Sequence, residues 1–143
     1  TVNVYLTFNG NTEEAFNFYK SVFGGEFTYM GRFKDMPADE NCPPPSEEEG
    51  NRIMHVSLPI SKETILMASD STSFSGDVTF GNNFSVSINT DNKEEADRLF
   101  NGLSAGGTII MPMEKTFWGA YFGMFTDKFG VNWMVNFDEV PAN

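Results

Sequence analysis

Asn11-Thr12-Glu13-Glu14-Ala15 and Asn92-Lys93-Glu94-Glu95-Ala96 read as one helix opening used twice in the same chain. Each follows a short run with strand-like alternation and precedes an apolar helical stripe, and each stripe ends in paired glycines, Gly24-Gly25 and Gly106-Gly107. The offset from Glu13 to Glu94 is 81 residues. Half of a 143-residue chain is small for an independent core, so the two copies are expected to share one buried surface, and function is expected there.

Outward from these openings the pattern repeats. Val2, Val4, Leu6 and Phe8 alternate with Asn3, Tyr5 and Thr7, the period of a strand with unlike faces. Asn11 or Thr12 can cap the helix that follows, and Glu13 and Glu14 suit its positive end. Ala15, Phe18, Tyr19, Val22 and Phe23 form its apolar stripe. Strands are expected over 26–33, 51–60 and 63–69, so the first half reads βαβββ. After a Ser, Asp, Gly and Thr-rich connector the order returns. Phe84, Val86 and Ile88 alternate, Ala96, Leu99, Phe100 and Leu103 make the second stripe, and 108–113, 120–126 and 131–137 supply three more strands. The fold class expected is α+β, one domain over 1–143, with modules at 1–70 and 83–138 and a connector at 71–82. Residues 35–50, rich in proline and closing on Glu47-Glu48-Glu49, read as a mobile surface loop, with a lid over a pocket as the alternative.

Composition narrows the function classes. A formal charge of −11 argues against nucleic acid and anionic membrane surfaces, because neither is bound without clustered Lys and Arg. The single cysteine, Cys42, forms neither an internal disulfide nor a Cys metal pair, which fits a reducing, cytoplasmic compartment. The opening residues Thr1 to Val4 carry no export signal, and no apolar run is long enough to span a membrane. Neither a G-x-G-x-x-G turn, a P-loop nor a G-x-S-x-G elbow occurs.

Asn17-Phe18-Tyr19 with Phe23-Gly24-Gly25, and the stretch Thr126-Asp127-Lys128-Phe129-Gly130-Val131-Asn132-Trp133, resemble the vicinal oxygen chelate superfamily of glyoxalases, extradiol dioxygenases and bleomycin-resistance proteins. The segments 5–11, 54–58 and 116–120 resemble its PhnB-like branch. The resemblance covers nearly the whole chain. It implies paired βαβββ modules forming a curled mixed sheet around a shared cleft, helices on the outer face, within a homodimer. In metal-using members four ligands come from the first and last strands of the modules, and the matching positions here are Val4, Met67, Ser85 and Met134. Valine cannot coordinate, serine is a poor neutral ligand, and thioethers suit copper(I) better than divalent ions. No metal and no cofactor is therefore expected. PhnB-like proteins have also been labelled ubiquinone-pathway methyltransferases, yet nothing in the chain resembles a glycine-rich methyl-donor loop.

The expected function is metal-free binding of a small amphipathic or aromatic molecule, in the manner of bleomycin-resistance proteins. Its cleft is expected to be lined by Val4, Leu6, Met67, Ser85, Ser87, Trp118, Tyr121 and Met134. The alternative is an enzyme of the superfamily with a non-standard metal or with His55 or Glu114 as acid or base. His55, the only histidine, shares a strand face with Ser57, where it either relays a proton in the cleft or is hydrogen-bonded at a sheet edge or partner interface. Trp133 is expected in the core.

Overall fold

In a computed structural model, which describes residues 1–37 and 45–139, the chain forms two compact units, Thr1–Thr79 and Phe80–Asn143. Cys42, Pro43 and Pro44 lie outside the described residues. The first unit runs β1 (Val4–Phe8), α1 (Thr12–Phe23), β2 (Tyr29–Arg32), a 3₁₀ turn (Phe33–Asp35), α2 (Glu47–Gly50), β3 (Ile53–Pro59) and β4 (Ile65–Asp70). The second runs β5 (Val86–Asn89), α3 (Lys93–Ser104), β6 (Thr108–Lys115), β7 (Ala120–Thr126) and β8 (Asn132–Asp138). Both are βαβββ, and their sheets have matching orders, β1-β4-β3-β2 and β5-β8-β7-β6. The chain thus has the α+β fold of two βαβββ modules expected from its sequence, with one four-stranded mixed sheet in each module.

In each unit the first strand pairs in parallel with the last, and the other pairings are antiparallel. A parallel neighbour needs a crossover connection, and the helix supplies it while covering one sheet face. Phe8 of β1 meets Phe16 of α1 edge to face at 6.4 Å, and Phe125 of β7 meets Phe100 of α3 at 5.1 Å. The α1 stripe differs from its helical reading by one position: Phe16 is fully buried, whereas Phe18 and Phe23 are partly exposed. The α3 stripe of Ala96, Leu99, Phe100 and Leu103 is buried throughout, and so is Trp133.

Asp70 closes the first unit. Strand β4 ends on it, so it belongs to the sheet, and its carboxylate is 4 % exposed. One oxygen accepts from the Gly10 and Thr12 amides, each at 3.0 Å, and from the Thr12 hydroxyl at 2.6 Å; the other accepts from the Ile53 amide at 2.8 Å. The α1 cap is therefore tertiary. Asn11 holds the cap position without a side-chain bond, whereas Asn92 caps α3 locally by accepting from the Glu95 amide at 2.7 Å. Asp127 acts similarly in the second unit, accepting from the Phe129 and Val131 amides and from the Trp133 indole at 2.8 Å.

The acidic run expected in a loop is helical. Ser46 caps α2 by accepting from the Glu49 amide, and the positive end of this short helix partly offsets the mutual repulsion of Glu47, Glu48 and Glu49. Gly107 is needed for space: a Cβ there would collide with the Thr126 carbonyl on the neighbouring strand.

Asp70→Ala is expected to lower the unfolding free energy by about 3 kcal/mol, because two buried amides lose a charged acceptor. Urea unfolding checks this, with an unchanged denaturant slope and with Asp138→Ala, at an exposed position, close to neutral.

Candidate functional site

Strand alternation sorts the side chains of each sheet into a face packed by the helix and a face turned away from it. In the first unit Val4, Leu6 and Phe8 share the helix face with Leu66, Ala68, Val56 and Leu58. The opposite face carries one aligned row, Tyr5, Met67, Ser57 and Tyr29, set by the register of four strands. His55, one step along β3, stands beside that row opposite Gly31.

His55 is held from both sides. Its Nδ1 lies 3.1 Å from the Tyr5 hydroxyl and its Nε2 lies 2.9 Å from the Ser57 Oγ. The Tyr5 and Tyr29 rings flank the imidazole, with centroids 5.6 and 5.7 Å away. A hydroxyl both donates and accepts, so this chain accommodates either neutral tautomer of the imidazole. Gly31 makes the arrangement possible, because a Cβ at that position would strike the Tyr29 side chain at 2.5 Å. A hydroxyl–imidazole–hydroxyl chain of this kind can bind a polar head group or pass a proton along a strand face.

The second unit places a different surface on its corresponding face. Phe125, Gly123 and Tyr121 point to α3, so Met124 and Phe122 point away from it. Cross-strand pairing continues Met124 into Met111 on one side and Met134 on the other, ending at Ser87. The next row is Glu114, Phe122, Asn136 and Asn89. Trp118, 59 % exposed in the β6–β7 turn, meets Phe122 at 6.4 Å and Phe117 edge to face at 5.0 Å.

These placements divide the residues expected in the cleft. Met67, Ser87 and Met134 lie on faces turned away from the helices, as does His55, and Ser85 precedes β5 with the same alternation as Ser87. Trp118 and Glu114 approach that face of the second sheet through Phe122. Val4 and Leu6 lie on the helix face, and the sequence reading differs by one residue. Tyr5 and Ser87, each paired with a methionine of its unit's last strand, lie 82 residues apart, whereas the helix openings lie 81 apart, so the helix offset cannot be carried back to the strands. Tyr5 is the residue equivalent to Ser87, each pairing with a methionine of the last strand.

Tyr121 also faces the helix. Its hydroxyl donates to Asp97 of α3 at 2.6 Å, and the Lys93 ammonium sits 4.8 Å above its ring. The hydrogen bond to Asp97 holds the phenol proton most strongly, with desolvation and the charges of Asp97 and Glu139 adding to it, and its pKa is pushed up to about 12. The residues missed by sequence reading are Tyr5, Tyr29, Met111, Met124 and Phe122. Alternation alone signals Tyr5 and Met124, whereas the two bulges of β6 hide Met111.

A cavity of about 420 Å³ lies elsewhere, where β1 and β4 end against the start of α1, lined by Asn9, Asn11, Glu13, Arg32, Arg52 and Asp70 among others. Its cations are engaged: Arg32 donates to Glu13 at 2.7 Å and to the Asn51 carbonyl, and Arg52 to the Ser71 carbonyl at 2.9 Å. Among the described residues no cluster of three His, Cys, Asp or Glu side chains offers a metal site, and no helix is long and apolar enough to cross a membrane.

Paired βαβββ units, each with one sheet face packed by its helix, define the vicinal oxygen chelate architecture, and comparison with known proteins agrees. The chain belongs to the family described as 3-demethylubiquinone-9 3-methyltransferase, whose model matches residues 1–136, within the PhnB-like branch of that superfamily. Protein PA1353 from Pseudomonas aeruginosa is 42 % identical, with a TM-score of 0.81 over 96 % of this chain and 97 % of that one. A putative 3-demethylubiquinone-9 3-methyltransferase, PhnB protein, from Bacillus cereus is 28 % identical, with a TM-score of 0.71 over 96 % and 98 %. A glyoxalase/bleomycin resistance protein/dioxygenase family enzyme from Burkholderia phytofirmans PsJN shares the fold at 17 % identity, with a TM-score of 0.59 over 95 % and 96 %.

Tyr121 is expected to ionise late for a phenol, near pH 12. Its raised pKa contributes stability that is present below the ordinary tyrosine value of about 10 and is lost as pH climbs through 12. Ultraviolet titration of the phenols checks this, and Asp97→Asn is expected to move the late transition down toward the ordinary tyrosine value of about 10.

Proposed function

We propose that this protein binds a small amphipathic or aromatic molecule without using a divalent metal ion, and that the polar end of the ligand is met by His55, Tyr5, Tyr29 and Ser57. The observation that carries this reading is the hydroxyl–imidazole–hydroxyl chain between two tyrosine rings on the helix-free face of the first sheet. Tyr5 and Tyr29 are each 49 % exposed, so a planar group can reach both rings and the imidazole together. Met67, in the same row as Tyr5 and Ser57, gives this face of the first unit an adaptable thioether beside the polar chain. The bleomycin-resistance name carried by relatives of this fold fits such a role, whereas the methyltransferase name of the family would demand a methyl-donor seat in addition. A homodimer in the cytoplasm is part of the same proposal, resting on the superfamily resemblance and the single cysteine.

A second reading has its own support. Ser57, His55 and Tyr5 form a continuous proton path, so His55 can act as a general base toward a bound carbonyl or phenol. The two readings share a seat and differ in turnover.

A thermal-shift panel of phenolic, quinoid and amphipathic compounds is expected to give at least one stabilising ligand, with affinity lowered about tenfold or more by His55→Gln or Tyr5→Phe, as for one lost hydrogen bond of about 1.4 kcal/mol. Equal affinity in both variants would remove the seat assigned here. Conversion of the bound compound by wild-type protein, lost in His55→Gln, would favour catalysis over binding alone.

A further inference from the structure

The pairing of the second sheet sets three thioethers side by side. Met111 is the direct partner of Met124, and Met124 of Met134, so one methionine from each of β6, β7 and β8 stands in a single row on the face turned away from α3. Met113, by contrast, packs against Gly123 on the helix side and is not part of the row. We infer that Met111, Met124 and Met134 form a three-thioether site for a soft monovalent cation of the copper(I) class, independent of the ligand seat around His55.

Geometry and softness support the assignment. Adjacent strands lie about 4.8 Å apart, so the outer two methionines start about 10 Å from one another, on either side of the middle one. A methionine side chain has three rotatable bonds, which lets the outer sulfurs converge over Met124. Thioether sulfur is a soft, neutral donor that selects copper(I) over zinc, iron, manganese or magnesium. Access is open at one end, with Met111 45 % exposed and Met124 and Met134 partly exposed. The rest of the row and its neighbour offer Ser87, Asn89 and Asn136, with no cation to repel the ion. A formal charge of −11 draws cations to the protein in general, while the sulfur set decides which cation stays. The first unit's equivalent row, Tyr5, Met67, Ser57 and Tyr29, holds one sulfur and builds no such site, so the two halves of the repeat have diverged at this face.

Silver(I), a redox-inert probe for copper(I), tests the site in full-length protein carrying Cys42→Ser to remove the competing thiol. With methyl-labelled methionine, the resonances of Met111, Met124 and Met134 are expected to shift together and saturate at one equivalent, while the other five of the eight methionines stay in place. Met124→Leu, which conserves volume, is expected to weaken silver(I) at least tenfold, and Met54→Leu and His55→Gln to leave it unchanged. Shifts at other methionines, unaltered affinity in Met124→Leu, or loss of binding in His55→Gln would each overturn the assignment. Because His55→Gln weakens the ligand seat and spares the sulfur row, failure of one proposal is distinguishable from failure of the other. Anaerobic competition for copper(I) against a chromogenic chelator should then give the same order of variants, and equal copper(I) affinity in wild type and Met124→Leu would refute the copper assignment.

Discussion

The first unit depends on one buried carboxylate. Asp70 ends the last strand of its sheet, yet its four acceptor contacts lie on the β1–α1 loop, the first turn of α1 and the start of β3. A parallel pairing of β1 with β4 brings the strand ends together, and the carboxylate then satisfies amides that would otherwise face the protein interior. Burying a charge is costly unless it is matched by donors, and here donors from two elements converge on it. The helix entry angle, and with it the face of β1 that meets Phe16, follows from this junction.

From that junction the two faces of each sheet acquire separate duties. One is closed by the crossover helix and packed with Phe8, Phe16, Leu58 and Leu66, or with Phe100, Phe125, Val135 and Trp133. The other escapes core packing and is free to specialise. In the first unit it carries imidazole and phenols in mutual contact; in the second it carries methionines and aromatic rings. An internal repeat thereby supplies two scaffolds of the same order and two chemistries. The most exposed elements, such as β6 with Ile109, Ile110 and Met111 outward, are also the ones interrupted by bulges and Pro112, which discourage uncontrolled edge pairing.

Much of the fold was legible in the sequence. Alternating runs at Val4 to Phe8 and Ala120 to Thr126, helical stripes after Asn11 and Asn92, and glycine pairs behind them set element type and order, because local periodicity reports burial directly. The candidate site was legible only in part. Met67, Ser87, Met134 and His55 fell on the helix-free faces, whereas Val4, Leu6 and Tyr121 did not. The helix openings repeat after 81 residues but strand positions such as Tyr5 and Ser87 repeat after 82, and that one-residue difference inverts the face of every strand residue carried across it. The acidic run at Glu47 to Glu49 misled for a related reason: its composition suits a loop, yet a serine cap and the helix dipole make a short helix sufficient.

By itself the sequence determined the duplicated βαβββ order and the identity of the covering helices. These are properties of residue type and short-range period. Only the tertiary structure decided that Asp70 caps a helix 58 residues before it, that Tyr5 and Ser57 bracket His55, and that Met111, Met124 and Met134 stand in one row. Each of these juxtapositions depends on strand register and on bulges, and register is fixed by packing between segments distant in the chain, which no local pattern records.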